Sequence, residues 1–380
     1  MSPPPPQNRI LISRLSAHGD VVQTLPLVTA LKAWDPHCSV GWLVEASAAP
    51  LLADHPLIDR LHISERKRWL ASWRHPTQWG DSLNGFRRLL QGLREAQYTH
   101  SLDVQGLLKS AVLPWLVGIP NRYGNAGARE GAARFYNHCL PPHAHTSTTA
   151  PAVCQYLRFA EALRAGSAEA PVPSWNDAAG WRIPPPTSET VSRVNRLLAD
   201  IPENKPVIAL APGTMWVSKH WHAPYWGRLL KELLDLEVTL ILLGGPSESD
   251  RVLNEAMTRT LTEAEADRVW NLCGKTELAD LYRLFQRVDV LVAPDSAPMH
   301  IANAAGRPRI VGLFGPTSPL RTGPLGEGHV SLSTALDCQP CFRKRCPLPA
   351  QQCMTEITPA MVLQAVQPLL NARPMGAPHG

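Results

Sequence analysis

No apolar run in this chain of 380 residues reaches the ~18 needed to cross a bilayer, so no transmembrane helix is expected. The opening stretch, MSPPPPQNR, lacks the apolar core of a secretory signal and reads as a frayed tail before the first strand. Eight cysteines in so long a chain do not make a disulfide scaffold, and with no export signal a reducing cytoplasm is the expected compartment. Neither a G-x-G-x-x-G nor a Walker loop occurs, which disfavours a dinucleotide oxidoreductase and a P-loop kinase. No Asp-x-Asp ends a strand-like run. Charge is scarce at 18% and almost balanced; a net +5 suits acidic partners but is too mild to argue nucleic acid. What remains is a globular composition, 44% hydrophobic, long enough for two α/β domains of common size.

Short apolar runs alternate with helical stretches along the chain. RILISRL (9–15), CSVGWLVE, RLHI and HSLDVQ read as strands, and DVVQTLPLVTALKAW carries Val21, Leu25, Val28 and Leu31 at helical spacing. The pattern lapses after about residue 165 into GSAEAPVPSWNDAAGWRIPPPT, a linker rich in Pro, Gly and Ala. It restarts with PVIALAPG, VTLILLGGP, RVWNLCG, DVLVAP and RIVGLFGP. Alternating strands and helices mean βαβ units and a largely parallel sheet in each half. Ligands of such folds bind at the carboxyl ends of strands, so a cleft between the halves is the expected site.

Three second-half strands end in small, turn-forming residues: APGTMWVSKHW, GGPSESD and APDSAPMH. Such turns can simply connect βα units, but three at one sheet edge point to a nucleotide site. Lys219, in the first turn, is either a surface lysine or the cation that neutralises charge on a leaving diphosphate. Glu248 opens the next helix, where it could complement the helix dipole or take a pair of ribose hydroxyls. Asp20, in SAHGD after the first strand, is equally a helix cap or a base for an attacking hydroxyl. In ERKRWLASWRH, Arg66, Lys67, Arg68 and Arg74 stand among Trp69, Trp73 and Trp79. This reads as a basic loop with aromatic faces suited to anionic groups near a membrane, against the plainer reading of a solvated charged face. Cys338, Cys341, Cys346 and Cys353 form C-x2-C-x4-C-x6-C, compatible with a structural zinc or iron–sulfur site that the chemistry does not need.

Several of these motifs together resemble one family. SAHGDVVQTLP, DVQGLLKSA, APGTMWVSKHW, APDSAPMHIANAAGRPRIVGLFGPTSP and the closing CQPCFRKRCP are similar to glycosyltransferase family nine, the ADP-heptose:lipopolysaccharide heptosyltransferases, from about residue 9 to 370. The resemblance implies inverting sugar transfer on a GT-B fold of two doubly wound Rossmann-like domains facing a central cleft. Residues 8–165 would bind the acceptor and residues 181–372 the ADP-sugar. It implies Asp20 as general base, with Lys219 and Thr214 at the donor diphosphate and Glu248 at the ribose. Asp295 would meet the donor sugar, with the amides of Ser296 and Ala297 on the phosphates and His300 nearby. Arg66, Lys67 and Arg68, with Lys109 and Arg122, would meet the acceptor. The basic stretch and QGLLKSA are similar to heptosyltransferase I, and the cysteine-rich end to heptosyltransferase II.

The expected function is thus inverting transfer of a heptose or related sugar from an ADP-sugar to the inner core of lipopolysaccharide, with no required cofactor. The expected place is the cytoplasmic face of the inner membrane, in peripheral contact with it. Three rivals remain open: the same fold with another nucleotide sugar and glycan, a non-catalytic nucleotide-sugar-binding module, and a GT-B-like epimerase.

Overall fold

The computed structural model of the chain describes residues 8–72, 74–141, 150–166, 183, 187–202 and 204–371. Trp73 of the basic stretch and most of the expected linker lie outside the described residues. The chain divides into two compact units, Met1–Pro184 and Pro185–Gly380.

The first unit is built on six parallel strands: β1 (Arg9–Ser13), β2 (Ser39–Glu45), β3 (Arg60–Ser64), β4 (His100–Asp103), β5 (Asn121–Asn125) and β6 (His138–Leu140). Their order is β3-β2-β1-β4-β5-β6, so the direction of winding reverses between β1 and β4. Central β1 is buried on both faces, which is why it reads as an unbroken apolar run; Ile12 faces Trp42 on β2 and Leu102 on β4. Helix α1 (His18–Trp34) buries Val21, Leu25, Val28 and Leu31 as their spacing predicts. It also buries Val22 and Leu27, because α5 (Ala152–Ala165) packs along it. Between them in sequence lie α2 (Arg66–Ser72), α3 (Trp79–Glu95) and α4 (Leu108–Leu116). Leu89 and Leu93 of α3 and Leu113 of α4 meet Leu11, Leu15 and Leu43 in one apolar cluster. The basic stretch read as a loop is therefore partly helical: Arg66, Lys67 and Arg68 form the first turn of α2, whose Trp69 packs edge-on against Phe86 of α3.

The second unit repeats the plan. Strands β7 (Val207–Leu210), β8 (Thr239–Leu242), β9 (Val269–Asn271), β10 (Val290–Pro294), β11 (Arg309–Phe314) and β12 (Val330–Ser333) run parallel in the order β12-β11-β10-β7-β8-β9. The helices are α6 (Ser188–Leu197), α7 (Ala223–Leu234), α8 (Glu248–Thr258), α9 (Glu263–Ala266), α10 (Asp280–Phe285), α11 (Ala297–Ala305), α12 (Pro319–Thr322), α13 (Gln352–Thr355) and α14 (Pro359–Leu370). Trp226, Leu229, Leu230 and Leu233 of α7 carry one side of the core, joined by Met354, Ile357, Val362 and Val366 from the chain's end. The reversal of winding falls between β7 and β10, where the two most distinctive second-half turns emerge. Both units are doubly wound parallel α/β structures, as the alternating pattern predicts.

Candidate active site

In the first unit, the turn after β1 sets a cation behind a carboxylate. Arg14 follows the last residue of β1, and Asp20 is the third residue of α1. Arg14 Nη2 lies 2.5 Å from Asp20 Oδ2, and Arg14 Nη1 donates to the Val104 carbonyl at 2.9 Å. The guanidinium also sits over the Tyr156 ring of α5, 5.4 Å from its centroid. Burial opposes the charge on Arg14, but Asp20 outweighs it and raises the pKa. The side chains are 9% and 38% exposed, so the arginine is the buried partner and the carboxylate reaches solvent. The Ala17 amide donates to Asp20 Oδ2 at 3.3 Å. Asp20 is therefore not the N-cap, which is Ala17, but reaches back to it from the first turn: Oδ2 is engaged, and Oδ1 carries none of these contacts.

Beside this turn, Glu45 at the end of β2 gathers two lysines. Lys109 Nζ donates to Glu45 Oε1 at 2.9 Å and to Ser16 Oγ at 2.9 Å, and Lys67 Nζ stands 3.3 Å from Glu45 Oε2. Burial of the Glu45 carboxyl favours its neutral form, yet Lys109 and Lys67 outweigh that and lower its pKa. Burial, then Lys67, lowers the pKa of neighbouring His18. Glu45 was missed from the sequence; its signal was an acid closing an otherwise apolar strand. Arg66 is half-buried in the first turn of α2, while Arg68 pairs with Glu65 at 3.3 Å in the open. The guanidinium of Arg122 is turned to backbone, donating to the Ile119 carbonyl at 2.6 Å and that of Phe135 at 2.7 Å. Among the described residues no hydrogen bond joins it to the lysine pair.

In the second unit the turns after β7 and β10 meet at Asp295. Lys219 Nζ donates to Asp295 Oδ2 at 2.8 Å and to the Asp295 carbonyl at 3.1 Å, with the Trp216 ring beneath it, 4.5 Å to its centroid. Thr322 Oγ1 of α12 donates to the same Oδ2 at 3.0 Å, and His300 Nε2 of α11 stands 3.3 Å from Oδ1. Asp295 is 4% exposed. Burial alone would keep its carboxyl neutral, but the His300 hydrogen bond and the Lys219 ammonium hold it well below the usual carboxylate range. An ammonium has three N–H donors, so one on Lys219 remains for an incoming anion. Ser296 precedes α11 without capping it, and its hydroxyl is buried without a partner among the described residues. Pro298 has no amide hydrogen, which leaves Ala297 and Met299 as the free donors of the first turn. Thr214 lies in the same turn as Lys219, its carbonyl accepting from His220 Nε2 at 2.9 Å.

Glu248 begins α8 as predicted, but it is exposed and ion-paired with Arg251. The more deeply engaged acid is Asp250, which the sequence reading passed over. Its carboxylate accepts from the Gly245 amide at 3.2 Å and the Ser247 hydroxyl at 2.8 Å. A Cβ on Gly213 would lie 2.5 Å from Asp250 Oδ1, so only glycine lets the β7 turn pass that close.

The four C-terminal cysteines are free thiols: Cys338 is exposed, Cys341 and Cys346 intermediate, and Cys353 buried. Burial, then the neighbouring Cys346, Cys341 and Cys338, pushes the Cys353 thiol up to about 11. Thiolate chemistry suits zinc, but among the described residues no three His, Cys, Asp or Glu side chains are gathered to hold a metal ion. The structural zinc read from the cysteine spacing is therefore not supported.

The sequence pattern of glycosyltransferase family 9 (heptosyltransferase) matches residues 86–351. The chain belongs to this family. This glycosyltransferase is 29% identical over 387 aligned residues to lipopolysaccharide heptosyltransferase 1 of Pseudomonas aeruginosa, covering 96% of this chain and 98% of the relative. To lipopolysaccharide heptosyltransferase 2 of Escherichia coli K12 it is 25% identical, covering 95% and 98%. Its fold matches that of the E. coli heptosyltransferase WaaC with ADP-2-deoxy-2-fluoro heptose, with a TM-score of 0.68 and 22% identity over 96% of this chain and 100% of the other. The glycosyltransferase accordingly has the GT-B fold.

Proposed function

We propose that this glycosyltransferase moves a heptose from ADP-heptose to the inner core of lipopolysaccharide with inversion at the anomeric carbon. The observation that carries the reading is the pairing of partly buried Lys219 with buried Asp295 at the winding reversal of the second unit, beside the first turn of α11. A sugar nucleotide needs cations and amides for its phosphates and an acceptor for its sugar hydroxyls. The remaining Lys219 donor and the Ala297 amide serve the former, and the Asp295 carboxylate the latter. Relatives named for lipopolysaccharide heptosyl transfer support the heptosyl group and the acceptor class.

In the first unit Asp20, held by Arg14, takes the proton from the acceptor hydroxyl as it attacks. The bond to the diphosphate breaks from the opposite face, and Lys219 neutralises the charge left on ADP. The Lys67–Glu45–Lys109 cluster and Arg66 present cations to the anionic acceptor beside Asp20. Among the described residues no helix is long and apolar enough to cross a membrane, and we place the enzyme in peripheral contact with the membrane that carries its acceptor.

The test is release of ADP from ADP-heptose in the presence and absence of a heptose-free lipopolysaccharide core, with thermal shifts for ADP-, UDP- and GDP-sugars alongside. Acceptor-dependent turnover and a shift largest with the ADP-sugar support the reading. Binding without turnover would indicate a non-catalytic module, and release of nucleotide from a UDP-sugar without acceptor would indicate an epimerase.

A further inference from the structure

The cysteine-rich segment also makes contacts that do not involve its thiols. Gln351 Nε2 donates to the Ser218 carbonyl at 2.8 Å and to the His220 carbonyl at 3.1 Å. These are the residues on either side of Lys219, so one side-chain amide brackets the lysine with both of its N–H donors. The bracket is itself fixed. The Ser218 amide donates to the Lys344 carbonyl at 3.2 Å and its hydroxyl to that of Arg343 at 2.5 Å. Two and three residues after Gln351, Cys353 and Met354 are buried in the core of the second unit against Gly315, whose added Cβ would lie 2.4 Å from Met354 Sδ. Gln351 itself has φ 43, in the left-handed region that non-glycine residues adopt uncommonly.

We propose that Gln351 is a positioning residue for donor binding: it holds the turn of Lys219 so that the free ammonium donor stays directed at the donor diphosphate. The inference rests on the reading of Lys219 as the diphosphate's cation. It gives the C-terminal segment a role in the donor site that needs neither metal nor cysteine chemistry.

The test uses the full chain and ADP as the probe. Gln351→Met keeps the side chain's length and removes both donors; Gln351→Asn keeps an amide that reaches one methylene less far. Calorimetry should show ADP binding weakened on the order of 10-fold in Gln351→Met, with Gln351→Asn between it and the parent. The ADP-heptose KM should rise by a similar factor while the acceptor KM is unchanged. In a Lys219→Ala background Gln351→Met should add nothing, because the two act as one unit. Thermal denaturation of each variant shows whether the fold is kept. Unchanged ADP affinity in a folded Gln351→Met, or the same loss in both backgrounds, overturns the proposal and leaves Gln351 a purely structural bracket. If Lys219→Ala alone binds ADP and turns over like the parent, the reading of Lys219 fails and this proposal with it.

Discussion

Arg14 and Asp20 form an ion pair at 2.5 Å in which the arginine is 9% exposed and the carboxylate 38%. The pair fixes one carboxylate oxygen and leaves the other side of the carboxylate facing solvent, where the proposed mechanism places the acceptor hydroxyl. Asp20→Ala should therefore cut turnover by ~10²–10⁴-fold with ADP-heptose binding little changed. Arg14→Gln should lower kcat less, by about 10-fold, and Arg14→Lys should recover part of that. Steady-state kinetics checks all three; near-parental turnover in Asp20→Ala would leave Asp20 a helix-end contact only.

On the proposed reading, the partly buried ammonium of Lys219, paired with Asp295, takes the role a divalent metal would otherwise play at the donor diphosphate. Activity should survive EDTA, with elemental analysis of the same sample showing no stoichiometric zinc or iron. Loss of activity on chelation, restored by Mg²⁺ or Mn²⁺, would sink this expectation.

Between residues 66 and 95 the chain carries seven Lys or Arg side chains and two carboxylates, and Leu70, Trp79 and Leu83 are about half exposed there. Each cation near an anionic surface could contribute about 1 kcal/mol, fading beyond a Debye length. Binding to anionic vesicles should weaken as salt rises. Reversing Arg66, Lys67 and Arg68 to Glu should raise acceptor KM and leave ADP binding intact. A triple variant that uses acceptor as well as the parent does would move the acceptor site elsewhere in the first unit.

His62 is 6% exposed, its Nε2 lies 2.7 Å from the Tyr98 hydroxyl, and burial, then Arg60, lowers its pKa to about 4. The unfolded chain takes up this proton near pH 6.5, before the folded one does. Stability present above that pH should be lost as the pH falls from about 6.5 to about 4, by up to about 3 kcal/mol. Urea titrations across this range measure the slope, which His62→Gln should flatten. An equal slope in the variant would assign the loss to other groups.

The sequence by itself determined the class of fold and marked the turns that carry the candidate site residues. Buried parallel strands must be apolar on both faces, so β1, β7, β8 and β10 stand out as runs, and small residues at their ends mark the turns that hold Asp20, Lys219 and Asp295. β6 and β12 lie at sheet edges, where partly exposed residues need not be apolar, and HCL and VSLS gave no such signal. The pairings inside each turn cluster were decided only by the tertiary structure. Lys219 meets Asp295 across 76 residues, Lys109 meets Glu45 across 64, and Gln351 reaches Ser218 across 133. Local periodicity records which residues turn inward but not which strands become neighbours. The winding order, reversing at β1 and β4 and again at β7 and β10, brings Lys109 to Glu45 and Lys219 to Asp295, and the packing of the C-terminal segment onto the second unit's core brings Gln351 to Ser218.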